Sequence, residues 1–397
     1  MSAWVERIEA ATPARRDRVV DGLRVLAMVG VVLGHWLVTG LAVRAGGAVR
    51  TASPLAVLPG LAPVSWLLET LGLFFFVSGY AAARSAAARP LRHRLGRLVP
   101  PVLVFAGVWV VVLALLRLAG VADRTLWTVG KLAVSPLWFL AVLVALTVLT
   151  PLATAAVERF GARAAAGPLA VVAGVDLLRF ALWPAVGARL GWANVVAGWL
   201  VPYLLGIAAA GGRLPRRCGP ALLVGGAAAT VALVVAGGYP VSMVGVPGQG
   251  RSNLDPPSLA VVCLALAQIG AALCLWPRLA RLLARPRLWA AVVVANLTLF
   301  TVFLWHQSAL LLVAGTTLVL AGPLPGLVAV PDGTGWLVAR LLWLPAFAAV
   351  LVALAAVFRP VERLGRQAPR NAAAPATRSA AAGGGPAGDP SAAPVEG

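Results

Sequence analysis

The sequence predicts an all-α, polytopic membrane protein with about ten transmembrane helices and both termini in the cytoplasm. Three observations predict it. Of 397 residues, 60% are hydrophobic and only 12% are charged, and the mean hydropathy is +0.91; soluble domains do not have this composition. The apolar residues fall into runs close to the ~20 residues that a helix needs to span a bilayer. The arginines gather in every second connection between those runs, and cytoplasmic loops are the ones enriched in Lys and Arg.

Taken in order, the spans are read at about 19–41, 62–83, 98–119, 133–156, 164–183, 194–211, 220–238, 258–277, 292–320 and 335–358. The first run is too long and too studded with polar residues for a secretory h-region, so it reads as a retained helix. The ninth is over-long, with Asn296 near its start, and reads as strongly tilted or as beginning at the interface. Residues 1–18 form a cytoplasmic segment, 19–358 the transmembrane domain, and 359–397 a cytoplasmic tail. The tail beyond 371 is rich in Ala, Gly and Pro and reads as disordered. Clusters such as Arg84, Arg89, Arg92, Arg94 and Arg97, or Arg278, Arg281, Arg285 and Arg287, mark cytoplasmic connections. The opposite loops hold scattered charges, among them Arg44, Arg50 and Arg251. The largest outer loop, about 239–257, has a Gly, Pro and Asn content that suits an ordered lid and a loose connector equally.

A formal net charge of +20 raises nucleic acid as a partner. The charges sit in short loops that orient helices, with no interleaved aromatic residues to stack on bases, so no nucleic-acid partner is expected. Cys218, Cys263 and Cys274 form no CxxC or Cys/His cluster, so neither a disulfide framework nor a metal site is expected. The expected partner is a lipid bilayer, the plasma (inner) membrane, crossed many times.

The stretch from Asp17 to Trp36, DRVVDGLRVLAMVGVVLGHW, carries the sharpest chemistry. Arg24 and His35 are eleven residues apart, which puts them on one helix face ~16 Å apart along the axis. Ionisable groups on one stripe of a membrane helix face a protein interior or a water-filled cavity and mark a functional site. The plainer reading has Arg24 snorkelling to headgroups and His35 bonding a neighbouring helix. Asp21 precedes Arg24 by three residues and is placed to orient its guanidinium. Asp176 and Arg179 repeat that spacing in the fifth span, either as a structural pair or as a lining for a cavity. Glu69 reads as interfacial near the outer side, Ser78 as a small residue for close packing beside Gly79, and Trp138 and Phe139 as interface anchors.

Four further motifs follow: LFFFVSGY at Leu73–Tyr80, RHRLGRLVPP at Arg92–Pro101, PLWFL at Pro136–Leu140 and FLWHQ at Phe303–Gln307. With the Arg-x10-His helix, the chain resembles the acyltransferase family 3 membrane proteins. FLWHQ departs from the commoner family pattern, in which a Pro follows shortly after the His. The resemblance implies an integral-membrane O-acyltransferase that takes acyl groups from cytoplasmic acyl-CoA, with acetyl-CoA the first candidate donor. Its implied acceptor is a hydroxyl on a cell-surface or exported carbohydrate or a related molecule.

The residue chemistry is compatible with that implication. Acyl transfer to a hydroxyl needs a base, and His35 supplies one. It also needs positive charge for phosphates and a developing oxyanion. Arg24 and Asp21 join His35 as catalytic candidates. Arg94 and Arg97, three apart on the same side of the membrane, are candidates to grip the CoA phosphates. His306, Asp176 and Arg179 are the weaker candidates for contacting substrate. The rival class is a proton-coupled transporter of a small polar solute, with His35 and Asp176 as relay groups. That class favours inverted repeats with broken helices, and no second Arg-x10-His helix appears.

The charge pattern gives a direct test of topology. A reporter fused after Gly397 is expected to be active only in the form that works in the cytoplasm. Activity of a periplasmic reporter at that position would overturn the assignment of sides.

Overall fold

The computed structural model describes residues 3–14, 16–85, 96–183 and 189–367, with side chains described to residue 362. Arg94 and the tail expected to be disordered lie outside these residues. Among the described residues, ten helical segments are long and apolar enough to cross a membrane. The only β-sheet among them is one small hairpin.

Helix α1 (Ala3–Ala10) leads into α2 (Arg18–Val38), the helix of the Arg-x10-His pattern. Asp17 is the N-cap of α2: its Oδ1 accepts from the amides of Val19 and Val20 at 3.1 and 3.3 Å. Such a cap answers backbone donors that have no partner within the helix. The other carboxylate oxygen accepts from the Tyr80 hydroxyl at 2.9 Å, which ties α2 to the end of LFFFVSGY.

Beyond α2 the chain makes an antiparallel hairpin, β1 (Gly40–Val43) and β2 (Val49–Ala52), where the sequence reading had only a loop. Gly46 and Gly47 take φ of 87° and 78° in its turn, a backbone region open to glycine without strain. Helix α3 (Leu71–Ser85) returns through the bundle and α4 (Val99–Leu118) follows.

The fourth span differs from the expected 133–156. The chain here is α5 (Asp123–Val134), α6 (Leu137–Val148) and α7 (Thr150–Phe160). Pro136 caps α6 and Pro151 sits in the first turn of α7. Proline lacks the amide that a helix interior requires, so each of these prolines begins a helix. Next come α8 (Ala166–Leu177), α9 (Ala193–Ala210), α10 (Gly219–Val235) and α11 (Leu259–Leu283). Helix α12 (Pro286–Ala321) runs unbroken for 36 residues, or ~54 Å, well beyond the ~30 Å hydrocarbon layer. It starts six residues earlier than expected. Helix α13 (Thr334–Gln367) ends the described chain.

Helices α2, α3, α9 and α11 form the centre, each segment burying more than half of its apolar window; α4, α10 and α13 lie outside with far less buried. The tightest contact is between α3 and α9. A Cβ on Gly206 would stand 1.9 Å from the Phe76 carbonyl oxygen, and one on Gly79 would stand 2.1 Å from that of Tyr203. The two backbones touch, as small residues allow in a membrane. Gly79 therefore makes the close packing expected of VSGY.

The loop after α10 resolves the choice between lid and connector: it is an ordered cap. The Asn253 amide donates to the carbonyls of Pro240 and Ser242, and the Ser258 hydroxyl donates to Asn253. The Met243 amide donates to Ser65 Oγ and the Trp66 indole to the Val241 carbonyl.

Replacing Gly206 by Leu would drive a side chain into the Phe76 backbone, which has no flexible end to yield. The expected loss is at least the ~1–3 kcal/mol typical of overpacking. It would be read as a lowered midpoint of tryptophan-detected thermal unfolding in detergent. An unchanged midpoint would disprove the backbone contact.

Candidate functional site

His35 lies one turn from the end of α2 and His306 in the middle of α12. Their rings stand 5.0 Å apart, centroid to centroid. Next to each histidine in sequence is a residue that joins the helices. The Trp36 indole donates to the His306 backbone carbonyl at 2.9 Å. The Gln307 side-chain amide lies 3.0 Å from Nδ1 of His35. These pairs cross between helices 272 and 270 residues apart in sequence. His35 is partly accessible, whereas His306 and Gln307 are buried, at 0% and 1% exposure.

The His306 ring has a defined tautomer. Nδ1 lies 2.7 Å from the Phe303 carbonyl oxygen. A carbonyl only accepts, so Nδ1 carries the proton and Nε2 of the neutral ring holds the lone pair. Among the described residues that Nε2 has no hydrogen-bond partner, nor does Oε1 of Gln307. The turns around the pair are tied to two more helices. Ser308 Oγ lies 3.1 Å from the Trp109 indole nitrogen of α4, and the Thr301 hydroxyl donates to Glu362 of α13 at 2.8 Å. Trp305 stacks on Phe358 at 3.9 Å.

At the other end of α2, Arg24 opens on a crevice of about 250 Å³. Its polar lining includes Ser78, Ser85, Thr147 and Tyr203, and Phe74 closes one side. Asp21 meets Arg24 as the spacing predicted, but loosely, at 3.5 Å; its closer partner is the Arg16 guanidinium at 2.6 Å. Asp21 is thus a shared anchor for two arginines. Arg97 stands just before α4, next to Leu98, which also lines the crevice.

A run of phenyl contacts leads from this crevice to His306. Phe74 meets Phe139 at 4.9 Å, Phe139 meets Phe303 at 5.1 Å, and Phe303 meets His306 at 6.2 Å. Phe139 is therefore a core residue at 4% exposure and not an interface anchor. Its face of α6 turns inward and leaves Trp138 on the outside. Glu69 is likewise buried, its Oε1 accepting from the Leu71 amide at the start of α3 at 3.3 Å.

Asp176 and Arg179 form a separate cluster. The Asp176 carboxylate accepts from Arg179 and Asn194 on one oxygen, both at 3.1 Å. The other oxygen accepts from the Tyr239 hydroxyl at 3.1 Å and the Leu259 amide at 2.6 Å. Burial, with the carboxylate beside it, pushes the Tyr239 phenol well above its ordinary range. None of these residues touches His35 or His306. The cluster joins α8, α9, the start of α11 and the ordered loop.

Sequence reading missed Gln307, Tyr203 and Thr147 as members of these sites. Gln307 stood in a motif already singled out. Tyr203 and Thr147 carry no local signal, because only helix packing brings them to the crevice.

Ten membrane-length helical segments among the described residues, with a partly accessible histidine held between two helices and a crevice edged by Arg24 near the other end of α2, have the parts of a membrane enzyme. A family model described as an acyltransferase domain matches residues 17–359. The chain belongs to this acyltransferase 3 family and is a membrane acyltransferase. Comparison with curated proteins and with solved structures found no match in either.

Truncating Asp176 to Ala would leave the buried Arg179 guanidinium without its carboxylate. Loss of one partner of a buried pair costs ~3–5 kcal/mol. Limited trypsin digestion is expected to cut after Arg251 faster in this variant, because the loop loses its anchor at Tyr239. Equal cleavage rates would show that the cluster does not hold the loop.

Proposed function

We propose that the protein is an O-acyltransferase that moves an acyl group, acetyl in the first instance, from cytoplasmic acyl-CoA to a hydroxyl of a cell-surface or exported carbohydrate or related acceptor. Residues 19–358 form the acyltransferase domain in the plasma (inner) membrane, with 1–18 and 359–397 on the cytoplasmic side. The observation that carries this reading is the placement of His35. It is the partly accessible imidazole, held by Gln307, on the helix whose other end brings Arg24 to a crevice.

In the proposed step, neutral His35 takes the proton of the acceptor hydroxyl as its oxygen attacks the thioester carbon. The tetrahedral intermediate collapses, the carbon–sulfur bond breaks, and the CoA thiolate takes the proton back from the imidazolium. Donor CoA approaches from the Arg24 end. Arg24, Arg94 and Arg97 hold its phosphates, since guanidinium forks fit phosphate oxygens. The hydroxyls of Ser78, Ser85 and Thr147 line the way for the pantetheine arm, and Asp21 keeps Arg24 at the mouth. His306 backs His35 from within the core, and Asp176 with Arg179 keeps the outer cap in place over the acceptor side.

The test measures CoA released from acetyl-CoA by the detergent-purified protein, with and without a hydroxylated carbohydrate. His35→Ala is expected to lower transfer by ~10²–10⁴-fold, the usual contribution of a general base. Transfer by the unaltered protein falls toward acid pH, because imidazolium cannot accept a proton. Arg24→Lys is expected to raise the acetyl-CoA KM by about tenfold, the loss of one charge-assisted bond. His306→Ala is the milder control. Near-normal transfer by the His35→Ala protein would overturn the mechanism. Unchanged CoA binding after Ala substitution at Arg24, Arg94 and Arg97 would reduce these arginines to topology signals.

A further inference from the structure

A histidine works as a base through one nitrogen only, and the hydrogen bond on the other decides which one is free. On His35 the occupied nitrogen is Nδ1, 3.0 Å from the Gln307 amide. Among the described residues no other hydrogen bond reaches this ring. For Nε2 to accept a proton, Nδ1 must hold one and donate it. The structure sets the amide nitrogen against Nδ1; the amide must be turned so that its oxygen, which has no partner among the described residues, takes that place. The nitrogen and oxygen of an amide are assigned from their surroundings, and both orientations keep the ring in the same place.

The other side chains around Gln307 leave it free for this task. His306, its neighbour, has Nδ1 committed to the Phe303 carbonyl. The Trp36 indole is used by the His306 carbonyl, and Ser308 by Trp109. Four charged groups on or beside α2 make the following contacts, and Nε and Nη1 of Arg340 have no hydrogen-bond partner among the described residues. Arg340 donates to the Thr39 carbonyl, Glu362 accepts from Thr301, Glu69 accepts from the Leu71 amide, and Asp21 pairs with Arg16 and Arg24. An uncharged amide also suits the place: it binds Nδ1–H without adding a buried charge, and so leaves the imidazole neutral and basic.

We propose that Gln307 is the positioning residue of the reaction, holding the His35 ring through Nδ1 so that Nε2 is the nitrogen that exchanges the proton with the acceptor hydroxyl. This rests on the acyl-transfer reading above. Gln307 touches no reacting atom; it acts through His35.

The test compares Gln307→Leu, Gln307→Glu and the unaltered protein, each checked for a single peak in size exclusion. Two readouts are used: CoA release from acetyl-CoA, and the rate at which diethyl pyrocarbonate labels His35, followed by mass spectrometry across pH. Gln307→Leu is expected to lower kcat by about 10–100-fold, the usual effect of losing a partner that orients a functional histidine, with the acetyl-CoA KM unchanged. Gln307→Glu keeps the acceptor oxygen and is expected to retain more activity than the Leu variant. Its carboxylate favours imidazolium, so the acid limb of the rate and the midpoint of labelling both move to higher pH. A merely structural role would move neither. Full kcat in the Leu variant, or identical labelling midpoints in the Glu variant and the unaltered protein, would overturn the proposal. Should the unaltered protein release no CoA, the acyl-transfer reading falls, while the labelling midpoints still decide whether Gln307 governs His35.

Discussion

Everything at the centre of this molecule hangs on eight residues of α12, Thr301 to Ser308, and the polar contacts they make with other helices. In a hydrocarbon surround a polar group without a partner is costly, and there is no bulk water to supply one. The Trp36 indole, the Gln307 amide, the Ser308 hydroxyl and the Thr301 hydroxyl each find a partner across a helix boundary. Together they set the registers of α2, α4 and α13 against α12. Apolar faces alone would leave those registers loosely determined, because one leucine against lipid is much like another. The polar contacts distinguish one arrangement from its neighbours by a turn.

The reading of the sequence was sound where the physics is local. Ten apolar runs give ten membrane-length segments, since hydropathy and length alone decide them. The Asp21–Arg24 contact follows from three-residue spacing, although Arg16 holds the carboxylate more closely. Phe139 was misread because residue type was made to stand for exposure. An aromatic residue beginning a membrane helix reads as an anchor until the partner helices show that its face turns inward. The hairpin at Gly40–Ala52 escaped because its strands are four residues long. Gln307 was visible only as a letter in a motif. Its partner lies 272 residues away, a distance that no periodicity can bridge.

Asp17 gives a second instance of parts meeting across the chain. One oxygen caps α2 and the other holds Tyr80 at the end of α3. The two most specific motifs of the family resemblance are therefore joined by a single carboxylate. The Asp176 cluster does similar work at the opposite end, where one buried carboxylate receives four donors and binds three helices to the cap.

The phenyl run of Phe74, Phe139 and Phe303 has a consequence for the membrane as a whole. These rings offer no hydrogen-bonding group; Phe74 meets Phe139 edge-on and Phe139 meets Phe303 at a tilt, so this route of contacts from the crevice to His306 is hydrocarbon. A living bilayer stores ~2.3 kcal/mol per elementary charge for each 100 mV across it. A continuous polar path through ten helices would discharge that store. Three hydrocarbon rings in contact add no polar step to such a path.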